Sequence, residues 1–156
     1  MVRKVRVTML FGGATPPEPM GHLTGFLLNV VAARSREAFA NGLADLGLRP
    51  PQFALLTMIE ASPGLAQQDL VAATGIDPSS MVAMLDALEH AGLAERRPHP
   101  EDRRKRALHL TEAGAARLAE AREVVAAIRP SVFGALDDTE FAELHRLVRK
   151  LTGYAD

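Results

Sequence analysis

Apolar residues recur along this chain at the spacing of helices far more often than at the spacing of strands. Leu23, Phe26, Leu27, Val30, Val31, Arg34, Ala38 and Phe39 follow the i, i+3, i+4, i+7 pattern of a long amphipathic helix, which Gly42 and Gly47 weaken and end. Pro50-Pro51 opens a second helix with a stripe of Phe53, Leu56 and Ile59, and Ser62-Pro63-Gly64 closes it. After the short apolar link Leu65-Ala66, Gln67–Thr74 predicts a brief helix with Leu70 and Val71 inward, ended by Gly75. Asp77 is then placed to cap a helix that starts at Pro78, where a missing N–H costs nothing. In it Met81, Leu85 and Leu88 share one face with Met84 beside them, Ser79, Ser80, Ala83, Asp86 and His90 lie elsewhere, and Gly92 is the stop.

The period then changes. Leu93–Arg97 and Lys105–Leu110 read as two strands joined by Pro98-His99-Pro100-Glu101-Asp102-Arg103-Arg104, a loop too long for a two-residue turn and too polar to bury. Thr111 is the cap of the next helix, with Glu112 in its first turn. Leu118, Val124, Val125 and Ile128 carry that helix to Pro130, where a kink is expected. Asp137 to Glu140 gives the last helix an N-cap and an acidic first turn, and Phe141, Leu144, Leu147, Val148 and Leu151 form its stripe. The first twenty residues fit none of this: Gly12-Gly13 and Pro16-Pro17 break any element, so residues 1–20 read as a mobile arm, with Met20 an equally good start. The apolar stretch Val7–Phe11 is short for a signal peptide.

Composition narrows the function classes. Of 156 residues, 47% are hydrophobic and 24% charged, the profile of an ordinary globular chain, and no apolar run is long enough to span a bilayer. The absence of cysteine excludes disulfide scaffolds, thiolate metal sites and thiol redox sensing, and suits the cytoplasm. No tryptophan and one tyrosine leave little to stack single-stranded bases, so a duplex fits a nucleic-acid partner better than a single strand does. The formal charge of -1 hides a local imbalance. Residues 50–92 hold five acids and no Arg or Lys, whereas residues 93–106 hold Arg96, Arg97, Arg103, Arg104, Lys105 and Arg106 against three acids. A basic patch of that size is either a surface for something anionic or a solvated turn.

Two short helices across a tight Gly75-Ile76-Asp77 turn make a helix-turn-helix, and the hairpin that follows adds a wing. The second helix is slim and polar outside, able to enter a major groove roughly 12 Å wide. From that start, residues 77 to 114 (DPSSMVAMLDALEHAGLAERRPHPEDRRKRALHLTEAG) resemble the MarR family of bacterial transcriptional regulators, and the wider pattern covers residues 21 to 152. The similar parts are the recognition helix, the L-E-x-x-G-L run, the D-x-R wing and the closing L-T-x-x-G. The resemblance implies a mainly α fold with a small β-hairpin: a winged helix-turn-helix domain at 50–111, flanked by dimerisation helices at 21–49 and 112–156. It also implies a homodimer with a ligand pocket between the dimer helices and the DNA-binding lobe. Asp102 would brace the wing, Arg104 would reach the minor groove, and Ser79 and Ser80 would stand at the start of the recognition helix.

One departure from the family is informative. The recognition helix has no Arg or Lys, and Asp86 and Glu89 are acidic, so guanine cannot be read there by a bidentate arginine. Ser79, Ser80 and the backbone at the helix N-terminus are left to position the helix, with Pro78 beside them and Val82 and Ala83 offered to thymine methyls. Gln67 and Gln68, which open the preceding helix, complete the expected DNA-facing set, and Arg96, Arg97, Arg103, Arg104, Lys105 and Arg106 supply phosphate attraction. A small aromatic or amphipathic effector is expected in a pocket lined by His22, Phe26, Phe53 and Met58, although at helical spacing such residues are also plain core. His90, His99 and His109 lack metal-ligand spacing, no catalytic motif stands out, and no cofactor is expected. The reading is thus a cytoplasmic homodimeric repressor of duplex DNA. A winged-helix protein–protein module is the alternative, and a metal-dependent or hydrolytic enzyme is a third reading with little support.

Overall fold

A computed structural model describes residues 16–99 and 106–154 of the chain. After a 3-10 turn at Glu18–Met20, the elements in order are α1 (Thr24–Ala44), α2 (Pro50–Ala61), α3 (Gln67–Thr74), α4 (Pro78–His90), β1 (Ala94–Pro98), β2 (Arg106–Leu110), α5 (Glu112–Phe133) and α6 (Asp138–Leu151). The mainly helical fold with one antiparallel hairpin is the expected class, and the pairing sets Arg96 opposite Leu108 and Arg97 opposite Ala107. Two compact units share the chain, Ala40–Val125 and the described parts of Met1–Phe39 with Ala126–Asp156, with the boundaries falling inside α1 and α5.

Ala40–Val125 holds every fully buried hydrophobic side chain among the described residues. Met81, Leu85 and Leu88 of α4, Leu70 of α3 and Leu55, Leu56 and Ile59 of α2 all turn inward, joined by Leu108 and by Leu118. The inward face of α2 departs from the expected stripe: Gln52, Leu55, Leu56 and Ile59 are buried, and Phe53 is only half-buried. Gln52 is inward because its Oε1 accepts the backbone N–H of Arg49 at 3.0 Å, satisfying a donor at the helix start. Leu65-Ala66 is more than a link. The N–H of Leu108 donates to Leu65 O and the N–H of Gly64 to Leu108 O, both at 2.9 Å, so the segment is bridged to β2 beside the two-stranded hairpin.

Two glycines are fixed by geometry. Gly75 takes φ 67° to end α3, its N–H returning to Val71 O, which releases the chain sharply into α4. Gly114 has another cause: a Cβ built there would lie 1.8 Å from the carbonyl oxygen of Leu93. Thr111 holds the same junction, donating its hydroxyl to Gly92 O at 2.6 Å and accepting the N–H of Gly114 at 2.9 Å. The threonine and glycine of the L-T-x-x-G motif therefore lock the root of the hairpin to the first turn of α5. At the far end α5 continues through Pro130, where a kink is expected, to Phe133. Residue 130 sits near the C-terminus, where its lost hydrogen bond falls close to the natural end of the ladder.

Asp77 caps α4 through its carboxylate, which accepts the N–H of Ser80 at 2.9 Å and the hydroxyl of Ser79 at 2.6 Å. These bonds from Ser79 and Ser80 hold its carboxyl far below the ordinary carboxylate range. A depressed folded-state pKa contributes stability above the unfolded value, about 3.9, that is lost as pH falls. Asp77→Ala should lower the thermal midpoint near pH 7, with the difference from wild type narrowing below about pH 4; a gap independent of pH would show that the charge is not the source. Gly114→Ala should cost about 3 kcal/mol or more, because the obstacle is a backbone carbonyl that cannot turn aside. A denaturant titration showing less than about 1 kcal/mol would mean that the junction is loose.

Candidate nucleic-acid interface

On α4 the buried positions Met81, Leu85 and Leu88 leave Ser79, Val82, Ala83, Asp86 and His90 on one outward stripe, all exposed. Pro78 and Ser80 are exposed at its start, and Val82 keeps 40% of its surface, which is high for a valine in a short helical lobe. On α3, Gln68 is exposed and Gln67 half-buried, both in the first turn. The stripe is small and neutral except at Asp86, so it can approach a groove floor without steric obstruction.

The start of α4 is less open than its sequence suggests. The Asp77 carboxylate already takes the N–H of Ser80 and the proton of Ser79, so a negative group stands where a phosphate would seek helix donors. The expected positioning role for the backbone at this N-terminus therefore has to compete with the helix's own cap. Ser79 keeps its hydroxyl lone pairs as acceptors.

The arginines divide into two kinds. Arg96 Nη1 donates to Asp86 Oδ1 at 2.7 Å and also to Glu89 Oε2, while the backbone N–H of Arg96 donates to Glu89 Oε1 at 3.0 Å. Its side chain is only 20% exposed. The guanidinium of Arg96 thus faces two carboxylates of α4. Arg97 is exposed and pairs with Glu95 two residues earlier on the same face of β1, its Nε at 3.0 Å from Oε1. Exposed ion pairs of that kind exchange partners at little cost. Arg106 is exposed at the start of β2. Asp102, Arg103, Arg104 and Lys105 lie outside the described residues.

Sequence reasoning missed the partnership of Asp86 and Glu89, which entered it only as the acidic residues of a helix without Arg or Lys. The available signal was their i, i+3 spacing beside an arginine seven residues on, across one glycine stop. An apolar groove lies elsewhere than the expected effector pocket. A groove of about 830 Å³ lies between α1 and α6 in the unit that holds the chain ends, lined by Leu27, Leu28, Val31, Phe133, Leu144 and Leu147 among others. None of His22, Phe26, Phe53 and Met58 lines it. His22 is exposed, and the other three are half-buried. Among the described residues no group of three or more His, Asp or Glu could hold a metal ion, and no helix is long and apolar enough to cross a membrane.

Comparison with known proteins agrees with this geometry. The family model described as MarR family matches residues 48–105, from just before α2 through the helix-turn-helix and β1. The HTH-type transcriptional repressor Rv2887 of Mycobacterium tuberculosis is 33% identical over 127 residues, covering 81% of this chain and 91% of the repressor. Its solved complex with DNA superposes with a TM-score of 0.72, covering 82% of this chain and 96% of that one. A protein described as a transcriptional regulator for the hcr operon of Thauera aromatica is 34% identical over 105 residues, 67% of this chain, and the match spans 63% of its length. CouR from Rhodococcus jostii, solved with p-coumaroyl-CoA, is 28% identical with a TM-score of 0.73 over 90% of this chain and 99% of its own. With the winged helix-turn-helix in place and a repressor 33% identical over four fifths of this chain, the chain belongs to the MarR family of transcriptional regulators.

Proposed function

We propose that this protein is a homodimeric, ligand-responsive repressor of transcription, acting in the cytoplasm on pseudo-palindromic duplex DNA. The observation that carries the reading is the small, exposed stripe of α4 flanked by the arginine-bearing hairpin. On this reading α4 enters the major groove and residues 97–106 run along the minor groove or backbone. Ser79, Ser80, Val82 and Ala83 meet base edges, with Gln67, Gln68 and Pro78 at the margin, and Asp102 steadies the wing. Arg97, Arg103, Arg104, Lys105 and Arg106 supply the salt-sensitive attraction. The DNA complex of Rv2887 supports this role for the chain. The chain has no catalytic role in the proposal and needs no resident cofactor.

A second copy of the chain is the proposed occupant of the α1–α6 groove. Leu28, Val31 and Leu147 line it and are exposed, Val148 and Leu151 of α6 are exposed as well, and no residue of α6 is fully buried, so the Leu147–Leu151 end of the stripe predicted for dimerisation stays open within one chain. A two-fold pair then sets two recognition helices about 34 Å apart to meet successive major grooves. The p-coumaroyl-CoA complex of CouR supports a small aromatic or amphipathic effector that alters that spacing.

Selection of bound duplexes from a random pool should return a two-fold half-site, and Arg104→Ala should weaken that duplex by roughly 1–3 kcal/mol per site while lowering the salt slope. Retention of no duplex at all would favour a protein–protein module instead, and unchanged affinity across the salt titration would remove Arg104 from the interface. Sedimentation at micromolar concentration should show a dimer; a monomer would end the two-fold model.

A further inference from the structure

Three charged side chains tie the wing to the recognition helix. Glu89 grips Arg96 at both ends, taking its backbone N–H on Oε1 and its guanidinium on Oε2, while Asp86 takes the same Nη1 from one turn earlier on α4. The carboxylates belong to the last two turns of the helix and Arg96 to the middle of β1, so the contact spans the Gly92 stop and fixes where the strand leaves the helix. Arg96 and Glu89 are 20% and 30% exposed, partly desolvated, whereas Asp86 at 52% lies on the outward stripe. Charge-assisted bonds to a guanidinium fork are directional, and two acceptors on one nitrogen restrict it further.

We infer that Arg96 is a positioning residue of the DNA-binding unit, clamped by Asp86 and Glu89 to set the wing against α4, and that it makes no contact with phosphate. The clamp also resolves the acidic character of α4. Two negative charges facing a polyanion would repel it, but with Arg96 between them the cluster carries one net negative charge rather than two, and the wing's remaining cations are left for DNA. The inference rests on the proposed DNA-binding role, and the two fail differently: a wild-type protein that retains no duplex overturns that role, whereas this inference fails with wild-type binding intact.

The sign of one substitution separates the alternatives. If Arg96 met phosphate directly, Glu89→Gln would remove a repelling charge and tighten binding, and its effect would add to that of Arg96→Gln. The clamp predicts the reverse: Glu89→Gln and Arg96→Gln each weaken the selected duplex by about tenfold, and the double variant is no weaker than the worse single, because both remove one interaction. Arg96→Lys should restore binding only in part, since the shorter lysine stem does not carry its ammonium to the place of Nη1 and lacks the planar fork. Binding is measured by titration of the labelled duplex, with the helical circular dichroism spectrum confirming folding at the assay temperature. Should Glu89→Gln unfold, Asp86→Asn carries the same prediction at an exposed side chain. Tighter or unchanged binding by the carboxylate variant, additivity in the double variant, or full rescue by lysine would each overturn the clamp.

Discussion

The carbonyl of Leu93 stands where a side chain on residue 114 would have to go, and the DNA-binding lobe is organised around that approach. The recognition helix ends at Gly92, the hairpin leaves and returns at Leu93 and Leu110, and α5 departs at Glu112, so four changes of direction meet within a few ångströms of one peptide. Thr111 supplies the polar half of the junction, donating to Gly92 O and receiving the N–H of Gly114. The glycine supplies the steric half. Because the root of the hairpin is held from below by this contact and from the side by Glu89 and Asp86, the wing can be long and polar at its tip without losing its direction at its base.

Electrostatics in this lobe is arranged in pairs before any partner arrives. The carboxylate of Asp77 serves the first turn of α4, those of Asp86 and Glu89 hold Arg96, and Arg122 reaches Glu60 of α2 from α5 at 3.1 Å. Glu60 is accordingly held below its ordinary range by that arginine. Among the described cations of residues 93–106, Arg96 faces two carboxylates of α4, Arg97 pairs with Glu95, and Arg106 is exposed.

Periodicity was a good guide wherever one element buried one face. The stripe of Met81, Leu85 and Leu88, the caps at Asp77, Thr111 and Asp137, and the extents of α3 and the hairpin were all legible, because each depends on residues close in sequence. What was illegible depended on partners far along the chain. Leu65 pairs with Leu108, more than forty residues away, and nothing in a dipeptide announces such a bridge. Phe53 yielded its inward place to Leu55 because Gln52 was needed at the helix start, a polar demand that a hydrophobic template does not register. Arg96 counted as a free cation for the same reason: a composition tally has no knowledge of which carboxylate stands beside it.

The two ends of the chain differ from the lobe in one respect with thermodynamic weight. No side chain in the described parts of Met1–Phe39 and Ala126–Asp156 is fully buried, although Phe133 and Phe141 meet edge to face at 5.3 Å and Arg129 lies 4.1 Å from the Phe141 ring centroid. Half-covered helices gain little from removing hydrocarbon from water, so whatever covers them supplies much of their folding free energy. Order in these helices and occupancy of their apolar face are then two readings of one equilibrium. Once the face is well occupied, each tenfold rise in the free concentration of the covering molecule adds about 1.4 kcal/mol to the stability of the helices it covers.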